Sequence, residues 1–151
     1  MNNRFTLVFL SLSGLLLLAI GGAVLLAPHA FHATNGIALG DDPSLLSEIR
    51  APGGLLTAAA VLILIGVFRR TLRSLAMVLT VLVYGSFGLA RVLGMVLDGL
   101  PSSGLVGATA IELIVAAIGL LVLCRPECAA LKFGPSGLFP CRTAGSVPPT
   151  A

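Results

Sequence analysis

Charge is scarce in this chain. Only 10% of its 151 residues are Asp, Glu, Lys or Arg, while 57% are hydrophobic and mean hydropathy is +1.08. A soluble domain carries roughly 25% charged residues, so a water-soluble globular protein is excluded. Chemistry-bearing patterns are scarce too. No nucleophile stands beside a base, no glycine-rich phosphate loop follows a strand pattern, and no complete metal-ligand set is present, so no enzyme is expected. Haem and iron-sulfur ligands are also missing, so no cofactor is expected. The net charge of +3 comes from scattered arginines. Without a basic patch interleaved with aromatics, nucleic acid is not a partner.

What the chain has in quantity is long apolar runs. Crossing a hydrocarbon core of about 30 Å as a helix takes about 20 apolar residues. Four runs reach or approach that length: 5–26, 51–68, 75–97 and 105–123. They leave no room for a separate soluble domain in 1–124. The fold class is therefore all-α: an integral membrane four-helix bundle surrounded by lipid, with a second copy or another membrane protein left open as neighbours. The first run exceeds the roughly 7–15 residues of a signal-peptide core, so it is read as a retained span.

Charges between the runs orient the bundle. Arg4, the turn holding Arg69, Arg70 and Arg73, and the later Arg125 and Lys132 fall on one side. The opposite side holds Asp41, Asp42, Glu48 and Asp98 with Arg50. By the positive-inside rule the arginine-rich side is cytoplasmic, which places both termini in the cytoplasm, with the cell inner membrane as the expected location.

Local patterns refine the spans. Ser11, Gly14 and Gly21 form a small-residue stripe suited to close helix packing. His29 and His32, three apart, would share one side of a helix. Pro28 ahead of them and the lack of further ligands make them interfacial histidines rather than a zinc site. Asp42-Pro43 is a helix start, with the aspartate capping and proline at the first position. A short helix is expected from Pro43 to Arg50. Pro52 then removes the bond to the Glu48 carbonyl, and Gly53-Gly54 follow, so the second span should be kinked at its outer end. Asp98-Gly99 ends the third span, and Pro101-Ser102-Ser103 opens the fourth.

The chemically informative stretch is Tyr84 to Gly99. At helical spacing Tyr84, Gly88, Arg91, Met95 and Asp98 share a face. In the next run Gly104, Ala108, Glu112 and Ala116 recur every four residues. Counted inward at 1.5 Å per residue, Arg91 and Glu112 both lie about 10–12 Å from the same boundary. An unpaired charge at such depth costs at least about 3 kcal/mol, so the two should pair. With Glu48 and Arg50 entering from the second span, the expected site is a polar cluster of Glu48, Arg50, Tyr84, Arg91, Asp98 and Glu112.

Ser47-Glu48-Ile49-Arg50 followed by Gly53-Gly54, and Gly88-Leu89-Ala90-Arg91 followed by Gly94, Asp98-Gly99 and Pro101, resemble the bacterial membrane family catalogued as domain of unknown function 4345. The resemblance covers residues 5–123 and implies four helices with these marked positions, but no activity. More distantly the layout is similar to DoxX-like four-span proteins, some of which accompany membrane redox systems. The cluster is accordingly read as a non-catalytic structural or interaction element. The alternatives are a solute-binding or proton-coupled transport site, and an accessory subunit of a redox system.

Beyond the fourth span, Gly134-Pro135-Ser136-Gly137 and Pro148-Pro149 suggest a flexible cytoplasmic tail over 125–151. Cys124 and Cys128 form a lone Cys-x3-Cys without completing ligands, and Cys141 stands apart. These are read as reduced thiols beside the membrane, open to acylation.

Overall fold

The computed structural model describes residues 3–124; the tail with Arg125, Cys128, Lys132 and Cys141 lies outside the described residues. Five α-helices follow in order: α1 Asn3–Leu26, α2 Pro28–Ala33, α3 Pro43–Phe68, α4 Arg73–Asp98 and α5 Ser103–Leu123, with a 3-10 turn Arg70–Leu72 before α4. Four of them, all but α2, are long and apolar enough to cross a membrane. Over the described residues the protein is all-helical, and the four long apolar helices make it a multi-pass membrane protein.

The pattern of burial agrees with lipid as the solvent. Leu12, Leu55, Leu62, Leu82, Leu89 and Ile114 all face outward. In water such a surface would be a large apolar patch inviting association; in hydrocarbon it is the favourable exterior. Polar side chains within the spans satisfy themselves locally. The hydroxyls of Ser13, Thr57, Thr80 and Thr109 donate to the carbonyls four residues back, Phe9, Gly53, Ala76 and Leu105, at 2.8–2.9 Å. With no water available in hydrocarbon, such back-bonding is how a hydroxyl is accommodated.

The helices run up, down, up, down. α1 packs most extensively on α3 and α4 on α5, while α3 joins the two pairs through α4. Small residues make these seams close. A side chain added at Gly21 would meet the Thr57 backbone at 2.7 Å, and one at Gly53 would meet Leu25 N at 2.8 Å. At Gly88 it would meet Leu113 at 2.8 Å, and at Gly119 Val81 at 2.6 Å. The glycine stripe expected on α1 is therefore its packing face, with Ser13 buried there and Ser11 only half-buried. Ala116 lies opposite Gly85, and Glu112 opposite Gly88, so the α5 stripe faces α4.

Two elements differ from expectation. The stretch after the first span contains a six-residue helix, α2, because Pro28 occupies its first turn, where a missing N–H is harmless. One continuous helix runs from Pro43 to Phe68 with Pro52 inside it, so the helix expected to stop near Arg50 continues into the span. Its start is as expected: Asp42 accepts from Ser44 N at 3.4 Å and Leu45 N at 3.1 Å. Gly99 takes φ of 97° after α4, a left-handed conformation that glycine adopts without strain. Ser102 precedes α5, but its hydroxyl makes no cap; its carbonyl accepts from Leu105 N and Val106 N instead.

This topology collects the α1–α3 connection, the α4–α5 turn and the acidic residues at one end, here called the acidic end. The basic end holds Arg4, Arg69, Arg70 and Arg73. There Arg73 donates through Nη2 to the Val67 carbonyl at 3.4 Å, a cation on the last turn of α3.

Candidate functional site

The site is built around Arg91 of α4 and Glu112 of α5. They lie on antiparallel neighbours at equal depth, and Gly88, one turn before Arg91, lets α5 approach closely enough for contact. Arg91 Nε donates to both carboxylate oxygens of Glu112, at 3.3 Å to Oε1 and 3.1 Å to Oε2. Arg91 keeps 32% of its side-chain exposure and Glu112 12%. The pair is thus partly open rather than sealed by packing. Neither Nη nitrogen of Arg91 has a hydrogen-bond partner among the described residues, and neither is buried.

The open side of this pair is a cavity of about 300 Å³ to which every helix contributes. Its apolar walls come from Leu17, Ile20 and Val24 on α1, Leu56 on α3, and Val83 and Phe87 on α4. Its polar part is His32 on α2, Glu48 on α3, Tyr84 and Arg91 on α4, and Glu112 on α5. The volume stands at the lower end of the roughly 300–1,000 Å³ typical of small-molecule sites, and the mixture of apolar wall and few polar groups is their usual character.

Two of the polar groups are already committed to backbone. Tyr84, 2% exposed, gives its hydroxyl proton to the Ser13 carbonyl at 2.6 Å, tying α4 to α1. His32 Nδ1 lies 2.9 Å from the Pro28 carbonyl within α2. Since a carbonyl can only accept, Nδ1 carries the proton, which leaves Nε2 as the available ring nitrogen. Glu48 is exposed and forms neither an ion pair nor a side-chain hydrogen bond with the described residues. Pro52, also in the cavity wall, has no N–H to offer the Glu48 carbonyl.

Four of the six expected residues, Glu48, Tyr84, Arg91 and Glu112, therefore share one cavity. The other two do not join them. Arg50 lines a separate surface groove with Pro43, Leu46, Ser47 and Ala51. It follows Glu48 by two positions, and residues two apart on a helix point to nearly opposite sides. Asp98 is exposed and lines a smaller cavity of about 210 Å³ with Met95, Pro101, Leu105 and Thr109. Arg91 borders that cavity too, so its side chain lies between the two spaces. Asp98 makes no ion pair with any described residue.

His32 belongs to the site although the sequence placed it among interfacial histidines. The overlooked signal is Pro28 itself: as the first residue of a helix it turns His32 back over the bundle. Its neighbour His29 points elsewhere and pairs with Asp41, Nε2 to Oδ1 at 3.2 Å. Among the described residues no three His, Cys, Asp or Glu side chains come together to hold a metal. Cys124 follows α5 at the basic end and is exposed.

Comparison with known proteins returns a family and no closer relative. No curated protein and no solved structure matches the chain. The family model that matches carries the description "Domain of unknown function (DUF4345)" and spans residues 5–123, which take in α3, α4, α5, all of α1 from Phe5 onward, and every residue of the cavity. The chain belongs to the DUF4345 family.

Proposed function

We propose that this protein binds, without turning over, a small molecule with an apolar body and a polar head, held in the cavity at the acidic end of the bundle. The observation that carries this reading is the position of the Arg91–Glu112 pair in the wall of a cavity of about 300 Å³ instead of inside close packing. A pair serving only to fix helix register gains nothing from adjoining open space, because an empty apolar-walled volume forfeits dispersion contacts. Intramembrane ionisable groups beside a cavity are the common mark of a solute site.

Orientation follows from charge. Arg4, Arg69, Arg70 and Arg73 at the basic end favour the cytoplasm, which turns the cavity toward the opposite face of a bacterial inner membrane. The ligand would then reach the site from outside the cytoplasm or from the adjoining leaflet.

The test is a cavity-filling substitution. Val83 is half-buried in the cavity wall, and Val83→Trp would occupy much of the space. A short amphiphile such as 1-hexanol should raise the unfolding temperature of the parent protein in dodecyl maltoside in a saturable manner and leave Val83→Trp unchanged. An equal response from both proteins, or from neither, would overturn the reading.

A further inference from the structure

We infer that the head group received by this cavity is a compact zwitterion, an oxyanion and an ammonium carried on one apolar body. The inference rests on the binding reading above and adds the polarity of the ligand. It comes from sorting the polar atoms around the cavity into those already engaged and those left over.

Engaged are the Tyr84 hydroxyl on the Ser13 carbonyl, His32 Nδ1 on the Pro28 carbonyl, and Arg91 Nε on the Glu112 carboxylate. Left over on α4 are the two Nη groups of Arg91, which present four N–H donors in the planar fork that fits a carboxylate or phosphate. Left over on α2 is His32 Nε2, a neutral acceptor, and on α3 the Glu48 carboxylate. The cavity thus has an unspent cationic donor on one wall and an unspent anionic acceptor on another.

Charge balance then discriminates among ligands. A simple anion would satisfy Arg91 but bring a further negative charge to a site already holding Glu48 and Glu112. A simple cation would satisfy Glu48 but leave the Arg91 fork without acceptors once water is displaced, which is costly for a desolvated charged donor. A zwitterion meets both groups and leaves the net charge of the site unaltered. Its apolar body would lie along Leu17, Ile20, Leu56 and Phe87. Two sources offer this chemistry: a free amino acid with an apolar side chain, and the head group of an ethanolamine phospholipid whose chains remain in the bilayer.

Calorimetry and thermal shift on the full chain in dodecyl maltoside would compare L-leucine and lysophosphatidylethanolamine with analogues lacking one charge. N-acetyl-L-leucine lacks the ammonium, L-leucine methyl ester lacks the carboxylate, and 1-hexanol lacks both. The expected result is that one of the two zwitterions binds at least tenfold more tightly than each single-charge analogue and the alcohol. Tighter binding of leucine identifies the free amino acid, and tighter binding of the lysolipid identifies the head group. Glu48→Gln should reduce zwitterion affinity tenfold or more without weakening binding of the N-acetyl compound, which loses a like-charge neighbour. Arg91→Lys, which keeps the charge but loses the fork, should do the same with the methyl ester as the unaffected control. If hexanol binds as tightly as either zwitterion, the head-group inference is wrong and the cavity reading survives. If no probe binds, hexanol included, the cavity reading fails and this inference with it.

Discussion

Arg91 meets Glu112 through a single nitrogen. Nε lies 3.3 Å and 3.1 Å from the two carboxylate oxygens, while the guanidinium end remains unengaged. An arginine committed only to a structural pair would commonly use two parallel bonds. This one-sided arrangement holds the side chain in place and keeps its fork available, and both consequences can be measured.

The first consequence is energetic coupling. Removing either partner strands the other in a partly desolvated site, so Arg91→Gln and Glu112→Gln should each cost about 1–2 kcal/mol. The lower range applies because the pair is not fully buried. The double substitution should cost less than the sum of the two, with a coupling energy of about 1 kcal/mol in a double-mutant cycle of unfolding in detergent. Additive losses would show that the pair contributes nothing as a pair.

Tyr84 ties the two helix pairs together through Ser13. Tyr84→Phe keeps the ring and deletes only the hydroxyl, so the expected loss is about 0.5–1.5 kcal/mol. The Ser13 carbonyl retains a second lone pair for its own helix, which keeps the effect within that range. Equilibrium unfolding in mixed micelles would check this. A loss above about 3 kcal/mol would mean that the hydroxyl supports more than one bond.

The α1–α3 seam offers a matched comparison between adjacent glycines. At Gly21 an added methyl would sit 2.7 Å from Thr57 N, whereas at Gly22 nothing lies within 4 Å. Gly21→Ala should therefore destabilise by about 1–3 kcal/mol through overpacking. Gly22→Ala should be neutral or stabilise by up to about 1 kcal/mol, since alanine restricts the unfolded chain and favours helix. Thermal unfolding of the two variants side by side decides the matter. Equal effects would show that the seam yields easily.

The start of α3 depends on Asp42, whose side chain accepts from two backbone amides. Asp42→Ala should cost about 1 kcal/mol. The loss should be local, because this end projects beyond the packed span. Hydrogen exchange would speed up at Ser44 and Leu45, while amides in the buried stretch around Ala60 stay protected. Uniform acceleration along α3 would contradict a purely local cap.

Much of this arrangement could be read before any coordinates. The four spans were legible because crossing hydrocarbon demands a minimum apolar length, and the Asp42-Pro43 start and the Gly99 stop because caps have local chemistry. The Arg91–Glu112 contact was legible from depth alone, since two antiparallel helices entered from the same boundary bring equal counts to equal heights. Rotation about each helix was harder. α1 is apolar on every side, so no polar contrast marks its inner face, and Ser13 is buried there while Ser11 is only half-buried. Arg50 was grouped with Glu48 by nearness in sequence, although a helix turns such neighbours apart.

By itself the sequence determined the class of the molecule, the number of its spans and the depth of its charges, all of which follow from one-dimensional hydropathy and the rise of a helix. The tertiary structure decided which of those charges meet and that they meet beside a cavity. Those outcomes depend on helix rotation, on where glycine admits a neighbouring backbone, and on α2 folding His32 over the end of the bundle, none of which is encoded by position along the chain.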